Sequence, residues 1–437
     1  MKKIFKLLMI SCFGILFSQQ KVMIKPVNNV SGYEISIKTE NLQGKTIKLS
    51  IYNGNYKTVF KIDSVTVKNN SETVFFKQKK NVISAIYQLA ISGKSQKKDI
   101  LVNNGDKINF KLNEIDIEKL QTENALNKSF FEYQKMNIGE EKNQFLVNLQ
   151  KKYPKLNALK IFTLFETRKS LKIAPNQSVN DFRSQLLKDI DVNDKTIALM
   201  PNSFSFLNTY FTSGDINSEN YKAGIDSFFK NQKCENNNFK FYVNWIFRNV
   251  ELLQTKNIND VPDYFFNKYI NNKTCIEKDK NFYDASLKKV QTYTKNPVGS
   301  TLQNFELQTI DNKEFSLNNF VKEKINLIVF YDPSCEHCKV EIPKITQEIS
   351  DLEKESNKKV GKIAVLNTFS KKDWKEFIEK SKLESWTNIT YKDGDTKTQA
   401  QLDVYNNPSF FIIDEKGKIL LKVYSLSFIR NFISEQK

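Results

Sequence analysis

Apolar residues in the first quarter of the chain recur at every second position. Tyr33, Ile35 and Ile37 alternate with polar neighbours, as do Ile47, Leu49 and Ile51. The same period runs through Ile62 to Val67, Ala85 to Ile91 and Ile100 to Leu112. A period of two puts successive apolar side chains on one face of a strand. Turn signals separate the runs: Gln43-Gly44, Asn53-Gly54-Asn55, Asn69-Asn70 and Asn104-Gly105-Asp106. The pattern predicts an antiparallel β sandwich or small barrel over residues 19–114. No catalytic constellation is visible in it.

From residue 115 the period changes. Phe130, Tyr133 and Met136 are spaced by three, and Phe145, Leu149 and Tyr153 by four. Tyr242, Trp245, Ile246, Val250 and Leu253 form a third stripe. This spacing predicts amphipathic helices, about six to eight of them, and an all-α domain over residues 115–295. Their aromatic stripes are read as core. Pro297 and Gly299 end the helical pattern. Residues 296–437 then alternate strand and helix. Ile325 to Tyr331 and Lys362 to Asn367 are near-continuous apolar runs, as expected for the buried centre of a parallel sheet. Helices are predicted from about Cys338, over Lys372 to Lys382, and at the end of the sequence. Ser409 to Asp414 and Lys418 to Tyr424 read as two strands joined by Asp414-Glu415-Lys416-Gly417.

Composition narrows the chemistry. The chain has 437 residues and a formal charge of +18, from 67 Lys+Arg against 49 Asp+Glu. Only Arg168, Arg183, Arg248 and Arg430 are arginines, so the basic surface lacks the bidentate forks that read bases. A solubilising surface, with no nucleic-acid partner, is the reading of that balance. The single histidine, His337, excludes sites that need several. At the N-terminus, Lys2, Lys3 and Lys6 precede an apolar stretch from Leu7 to Phe17, with Ser18 at a plausible cleavage point. Residues 1–18 are predicted to be a signal peptide, and export to the periplasm or cell envelope follows. A competing reading makes Cys12 the lipidated residue of a loose lipobox, which the apolar run past Cys12 and Met9 at its first position disfavour.

Chemistry concentrates at Cys335-Glu336-His337-Cys338, which follows the predicted strand ending at Tyr331. A Cys-x-x-Cys pair can be half a zinc site or a reversible dithiol. Zinc needs two more ligands, and Cys234 and Cys275 are isolated in the helical region. At a helix N-terminus the dithiol makes chemical sense, because free N–H groups and the helix dipole favour a thiolate on the first cysteine.

Residues 298–437 resemble the thioredoxin superfamily, specifically the secreted TlpA/ResA-like thiol–disulfide oxidoreductases. The likeness rests on several features in order. Val298-Gly299, Phe305-Glu306-Leu307 and Asp311 to Leu317 look like the family's lead-in hairpin, and the cysteine pair follows the first central strand. Pro343 matches the proline that kinks the active-site helix, and Glu341 the acid six residues after the first cysteine. Asn407-Pro408-Ser409-Phe410-Phe411 matches the cis-proline segment before the last hairpin. The resemblance implies a multidomain protein ending in an α/β thioredoxin-like fold, with no cofactor and no metal. It implies that Cys335 attacks a substrate disulfide and Cys338 resolves the intermediate. Pro408, in a cis bond, would present backbone to an extended substrate, and Glu341 would carry a proton or tune the thiols. A cationic His337 would favour the Cys335 thiolate, whereas Glu336 opposes it. Partners would be exported protein disulfides or dithiols, together with a membrane-linked redox partner. The β-rich front is similar to the uncharacterised N-terminal domains joined to such thioredoxins.

Departures limit the transfer. Ser334 stands where many relatives have Trp, Val329 where many thioredoxins bury an acid, and Asn407 where Thr, Val or Ile is usual. Cys234 and Cys275 either bridge the helical domain or are buried thiols, and export favours the bridge. Peroxide reduction is a second class. Peroxiredoxins place Thr or Ser three residues before their cysteine and Pro seven before, where this sequence has Asp332 and Ile328. A third class is a non-catalytic envelope binding or scaffold protein that carries the thioredoxin-like module.

Overall fold

The computed structural model describes residues 32–437 except 254, 255, 257, 304, 318–322, 357, 393, 394, 403, 405, 406, 424, 425, 436 and 437. The expected signal segment and Cys12 lie outside the described residues. The protein has N-terminal β-rich sheets, a helical middle and a C-terminal α/β region. Its contacts divide it into two units. One runs through residue 167 and includes 195–203, and the other comprises 168–194 and 204–437.

The first unit opens with strands β1 (Tyr33–Glu40), β2 (Thr46–Tyr52), β3 (Val59–Thr66) and β4 (Ser71–Gln78). Strands β5 (Ala85–Ile91), β6 (Lys97–Val102), β7 (Asp106–Leu112) and β8 (Gln121–Thr122) follow. They form two four-stranded sheets, ordered β4-β1-β7-β8 and β3-β2-β5-β6. The alternation read from sequence places whole rows inside. Ile35 lies between Phe76 and Ile108, and Ile37 between Val74 and Phe110, all buried. In the other sheet Leu49 faces Leu89 and Ile51 faces Tyr87, again buried. Such cross-strand apolar pairs set the register, because a one-residue slip turns the row to solvent. One expectation is corrected: the sheets are not wholly antiparallel, since β1 and β7 run parallel. The Ile100–Leu112 run is also two strands, broken at Asn103-Asn104-Gly105, where Gly105 takes φ 89°. Helices α1 (Ala125–Lys135), α2 (Glu140–Lys152) and α3 (Asn157–Arg168) complete this unit.

Asp99 of β6 is a half-buried carboxylate in this unit. The Tyr52 hydroxyl donates to its Oδ1 at 2.5 Å, and Gln88 Nε2 donates to the same hydroxyl at 2.6 Å. Burial raises its pKa to about 6, against the ordinary 3.8, with the Tyr52 bond and Lys98 working the other way. The folded state therefore binds the proton more tightly than the unfolded state. This group's contribution is most favourable below pH 4 and becomes a penalty as pH rises through 6. Asp99→Asn keeps the acceptor for Tyr52 and removes the charge. The variant is expected to be more stable than the parent at pH 7 by ~2 kcal/mol, an advantage that fades toward pH 4. Urea midpoints of both proteins at pH 4.5 and 7 test this, and an advantage that grows toward low pH contradicts it.

The second unit begins with helices α4 (Val179–Leu187), α5 (Ser203–Phe211), α6 (Ser218–Phe229) and α7 (Phe239–Leu252). Next come α8 (Val261–Phe265), a π-helical turn at Phe266–Ile270, α9 (Lys273–Lys278) and α10 (Lys280–Thr294). Ten helices thus replace the expected six to eight among the described residues. The additional ones include α8 and α9, only five and six residues long, too short to show a periodic stripe. Polar side groups fix the helix starts: Ser178 accepts from Asp181 N–H, Asn217 from Asn220 N–H, and Asp279 from Phe282 N–H. The stripes are core in large part: Phe130, Tyr133, Leu149, Tyr242, Trp245, Ile246 and Val250 are buried, whereas Met136, Phe145, Tyr153 and Leu253 are only half-buried. Arg183 is fully buried and caps the end of α5, its Nε donating to Tyr210 C=O at 3.3 Å and its Nη2 to Asn220 C=O at 3.0 Å. Cys234, between α6 and α7, is bridged to Cys275 of α9, with Cα atoms 5.3 Å apart.

The C-terminal region supplies β9 (Glu306–Thr309), β10 (Glu314–Ser316), β11 (Asn326–Tyr331), α11 (Glu336–Ser356) and β12 (Gly361–Leu366). It continues through α12 (Trp374–Lys380), β13 (Thr387–Tyr391), α13 (Thr396–Leu402), β14 (Ser409–Ile413), β15 (Ile419–Val423) and α14 (Leu426–Glu435). One seven-stranded sheet runs β10-β9-β13-β12-β11-β14-β15. Strands β11, β12 and β13 are parallel, and the outer pairings are antiparallel. All six residues of β11 are buried, which explains its unbroken apolar run. Leu327, Val329 and Tyr331 join a core with Ile342, Ile345 and Trp374. Ile328 and Phe330 join a second core with Ile363, Tyr391 and Phe411. Helices therefore cover both faces, and the loops after β11, β12 and β13 emerge at one end of the sheet. Lys422 of β15 is buried, its Nζ donating to Thr292 C=O at 2.7 Å and Lys295 C=O at 3.0 Å at the end of α10.

Candidate active site at the start of helix α11

The turn between β11 and α11 is built by Asp332. Its Oδ1 accepts from Ser334 N–H at 2.8 Å and Ser334 Oγ at 2.7 Å, an Asx turn. Its C=O accepts from Cys335 N–H at 3.0 Å. Cys335 is thereby placed immediately before the helix, where its C=O accepts from Lys339 N–H at 3.2 Å. The first-turn N–H groups of α11 have no intrahelical partner, which favours negative charge at this end of the helix. Three residues on, Cys338 falls one turn inside the helix and is fully buried, whereas Cys335 is half-buried. Both are free thiols.

This asymmetry sorts the two sulfurs. Burial pushes the Cys338 thiol far above its usual range, with Cys335 and Asp332 adding to the shift and a backbone hydrogen bond from Asp332 opposing it. At neutral pH Cys338 is a protonated, buried thiol, and Cys335 is the sulfur partly open to solvent. Across the site, the Asn407–Pro408 bond is cis and Pro408 is buried. The Cys335 Sγ donates to Asn407 C=O at 3.3 Å. The two cysteines and the proline segment, far apart in sequence, are thus brought to one point.

The remaining sequence candidates are placed differently. His337 is exposed on the first turn of α11. Glu336 is exposed and pairs with Lys339 at 2.7 Å. Glu341 lies one turn further along, its carboxylate held by Lys344 at 3.1 Å. Pro343 sits inside α11. Val329 occupies the core, at the position where many thioredoxins bury an acid. Among the described residues, no group of three or more His, Cys, Asp or Glu residues is placed to hold a metal ion.

Several contributors escaped the sequence reading. Tyr331 ends β11, its hydroxyl accepting from Trp374 Nε1 at 2.7 Å and its ring stacked on Phe377. Asp332 had an available signal, an Asp two residues before a Ser in a turn. Asn367 and Tyr391, both buried, had no strong one: Asn367 is a polar residue ending an apolar strand, and Tyr391 ends a strand of mixed polar sequence.

Comparison with known proteins bears on this same region. Residues 298–422 match the AhpC/TSA family model. No curated protein matches the sequence. Among solved structures, the thioredoxin domain of a thiol-disulfide oxidoreductase from Bacteroides vulgatus is 22% identical, covering 32% of this protein and 96% of its own length, with a TM-score of 0.28. A thioredoxin-like protein from Bacteroides caccae is 15% identical over 52% of this protein and 95% of its own length, with a TM-score of 0.35. A domain of a possible thiol-disulfide isomerase from Cytophaga hutchinsonii is 20% identical over 32% of this protein and 91% of its own length, with a TM-score of 0.28. The family match and the sheet order, with a cysteine pair opening the helix after β11, make the C-terminal region a domain of the thioredoxin superfamily.

Proposed function

We propose that this protein is a thiol–disulfide oxidoreductase acting through Cys335 and Cys338. The observation that carries the reading is the paired placement of the sulfurs: Cys335 accessible and hydrogen-bonded beside cis Pro408, and Cys338 buried directly behind it. In the reducing direction the Cys335 thiolate attacks one sulfur of a substrate disulfide. A Cys335–substrate disulfide forms and the other substrate sulfur leaves as a thiolate, which takes up a proton. Cys338 then loses its proton and attacks the Cys335 sulfur, releasing the second substrate thiol. Two electrons pass to the substrate and the dithiol becomes the Cys335–Cys338 disulfide. The reverse sequence oxidises a substrate dithiol. The site residues themselves supply all the groups these steps need, so no cofactor enters.

Export to the periplasm or envelope is part of the proposal. It is supported by the basic and apolar N-terminal sequence and by the Cys234–Cys275 bridge, a bond that persists outside the reducing pool. The substrates are then exported proteins, and a membrane-linked redox partner resets the dithiol. Glu341 and His337, flanking the pair on α11, would adjust its proton transfers. Peroxide reduction is not favoured, because Asp332 stands where that chemistry wants a hydroxyl and its carboxylate is engaged by the turn.

The purified protein is expected to catalyse insulin reduction by dithiothreitol, or oxidation of a dithiol peptide, at least ~10-fold above the uncatalysed rate. Inertness toward both contradicts the reading.

A further inference from the structure

We propose that Asn367 and Tyr391 are positioning residues that fix the proline segment opposite Cys335, and so set how tightly the site holds an extended peptide around its disulfide. The inference rests on the oxidoreductase reading and deepens it.

Asn367 is the first residue after β12 and is only 7% exposed. Its N–H donates to Tyr331 C=O at 2.7 Å, which ties it to the strand end that leads into the cysteine turn. Its carboxamide reaches the other way. Nδ2 donates to Val404 C=O at 2.8 Å and to Asn407 Oδ1 at 3.0 Å. Oδ1 accepts from the Tyr391 hydroxyl at 2.6 Å. Both amide hydrogens and the oxygen are therefore engaged, in a buried setting where each bond is costly to lose. Asn407 in turn accepts the Cys335 Sγ bond through its backbone C=O. Asn367 thus links, through its backbone N–H and its carboxamide together, the strand end that leads into the Cys335 turn to the loop carrying the cis proline.

Only a carboxamide serves all three contacts. A carboxylate accepts from Tyr391 but presents oxygen to two further acceptors. Asp at this position would push the Val404 carbonyl and the Asn407 side chain away, and the cost falls on whatever must lie beside Asn407 and Pro408. A long peptide depends on that segment, whereas a small disulfide meets Cys335 with little help from the loop.

The test compares Asn367→Asp and Tyr391→Phe with the parent, using a ten-residue disulfide peptide and cystamine. For Asn367→Asp, KM for the peptide is expected to rise tenfold or more with kcat within threefold, and the cystamine rate to fall less than threefold. Tyr391→Phe, which removes one hydroxyl, should show the same split at three- to tenfold, and it decides the matter if Asn367→Asp does not fold. An equal loss on both substrates marks a structural role and overturns the inference, as does no loss on either. A parent inert toward both substrates overturns the oxidoreductase reading and this inference with it.

Discussion

Replacing Cys335 with serine is expected to reduce disulfide turnover at least ~1000-fold while leaving the melting temperature within about 2 °C of the parent. Exchange needs a sulfur that exists as a thiolate near neutral pH and that can itself be displaced in the second step. A serine hydroxyl does neither. The structural cost is small because Cys335 is half-buried and its thiol hydrogen bond, to Asn407 C=O, is of a kind a hydroxyl also makes. A residual rate within tenfold of the parent would move the chemistry away from this sulfur. A biological phenotype left unchanged by Cys335→Ser would favour a binding or scaffold role for the protein.

The second large effect concerns stability. Removing the Cys234–Cys275 bridge with alanine at both positions is expected to cost about 4 kcal/mol, on the loop-entropy model for a closed segment of this length. The bridge joins α9 to the segment between α6 and α7, 41 residues away, and Cys275 is buried. Without it the unfolded loop regains its freedom. Denaturant midpoints of the two proteins, read by helical circular dichroism, measure the difference. A loss below about 1 kcal/mol would mean that the bridge adds little beyond local packing.

How much of this was legible from sequence differed from element to element. The rows of β1 and β2 were readable because their apolar residues alternate with polar ones and fill a buried face. Strand β4 was missed because Phe75 and Phe76 are adjacent: Phe76 is buried and Phe75 is 44% exposed, which blurs the alternation. In β3 the apolar Ile62 is 45% exposed, so alternation there did not report burial. β11 was plain, since burial on both faces needs an unbroken apolar run. β13 and α13 were missed for the opposite reason, the mixed polar sequences Thr387–Tyr391 and Thr396–Leu402. Around the site, Cys335, Cys338 and Pro408 stood out by residue type and order. Asn367 and Tyr391 did not, because their significance comes from hydrogen bonds to residues 24 to 40 positions away. The parallel pairing of β1 with β7 is likewise a long-range fact that no local pattern encodes.

The most direct measurement is a trap. Cys338→Ser removes the resolving sulfur and leaves Cys335 accessible, so the first exchange step can proceed and the second cannot. If Cys335 is the nucleophile, Cys338→Ser isolated from its own cells carries exported proteins as adducts. These are released by dithiothreitol and absent from the Cys335→Ser/Cys338→Ser double variant. A Cys338→Ser protein free of such adducts, or adducts that persist when Cys335 is serine, would contradict it.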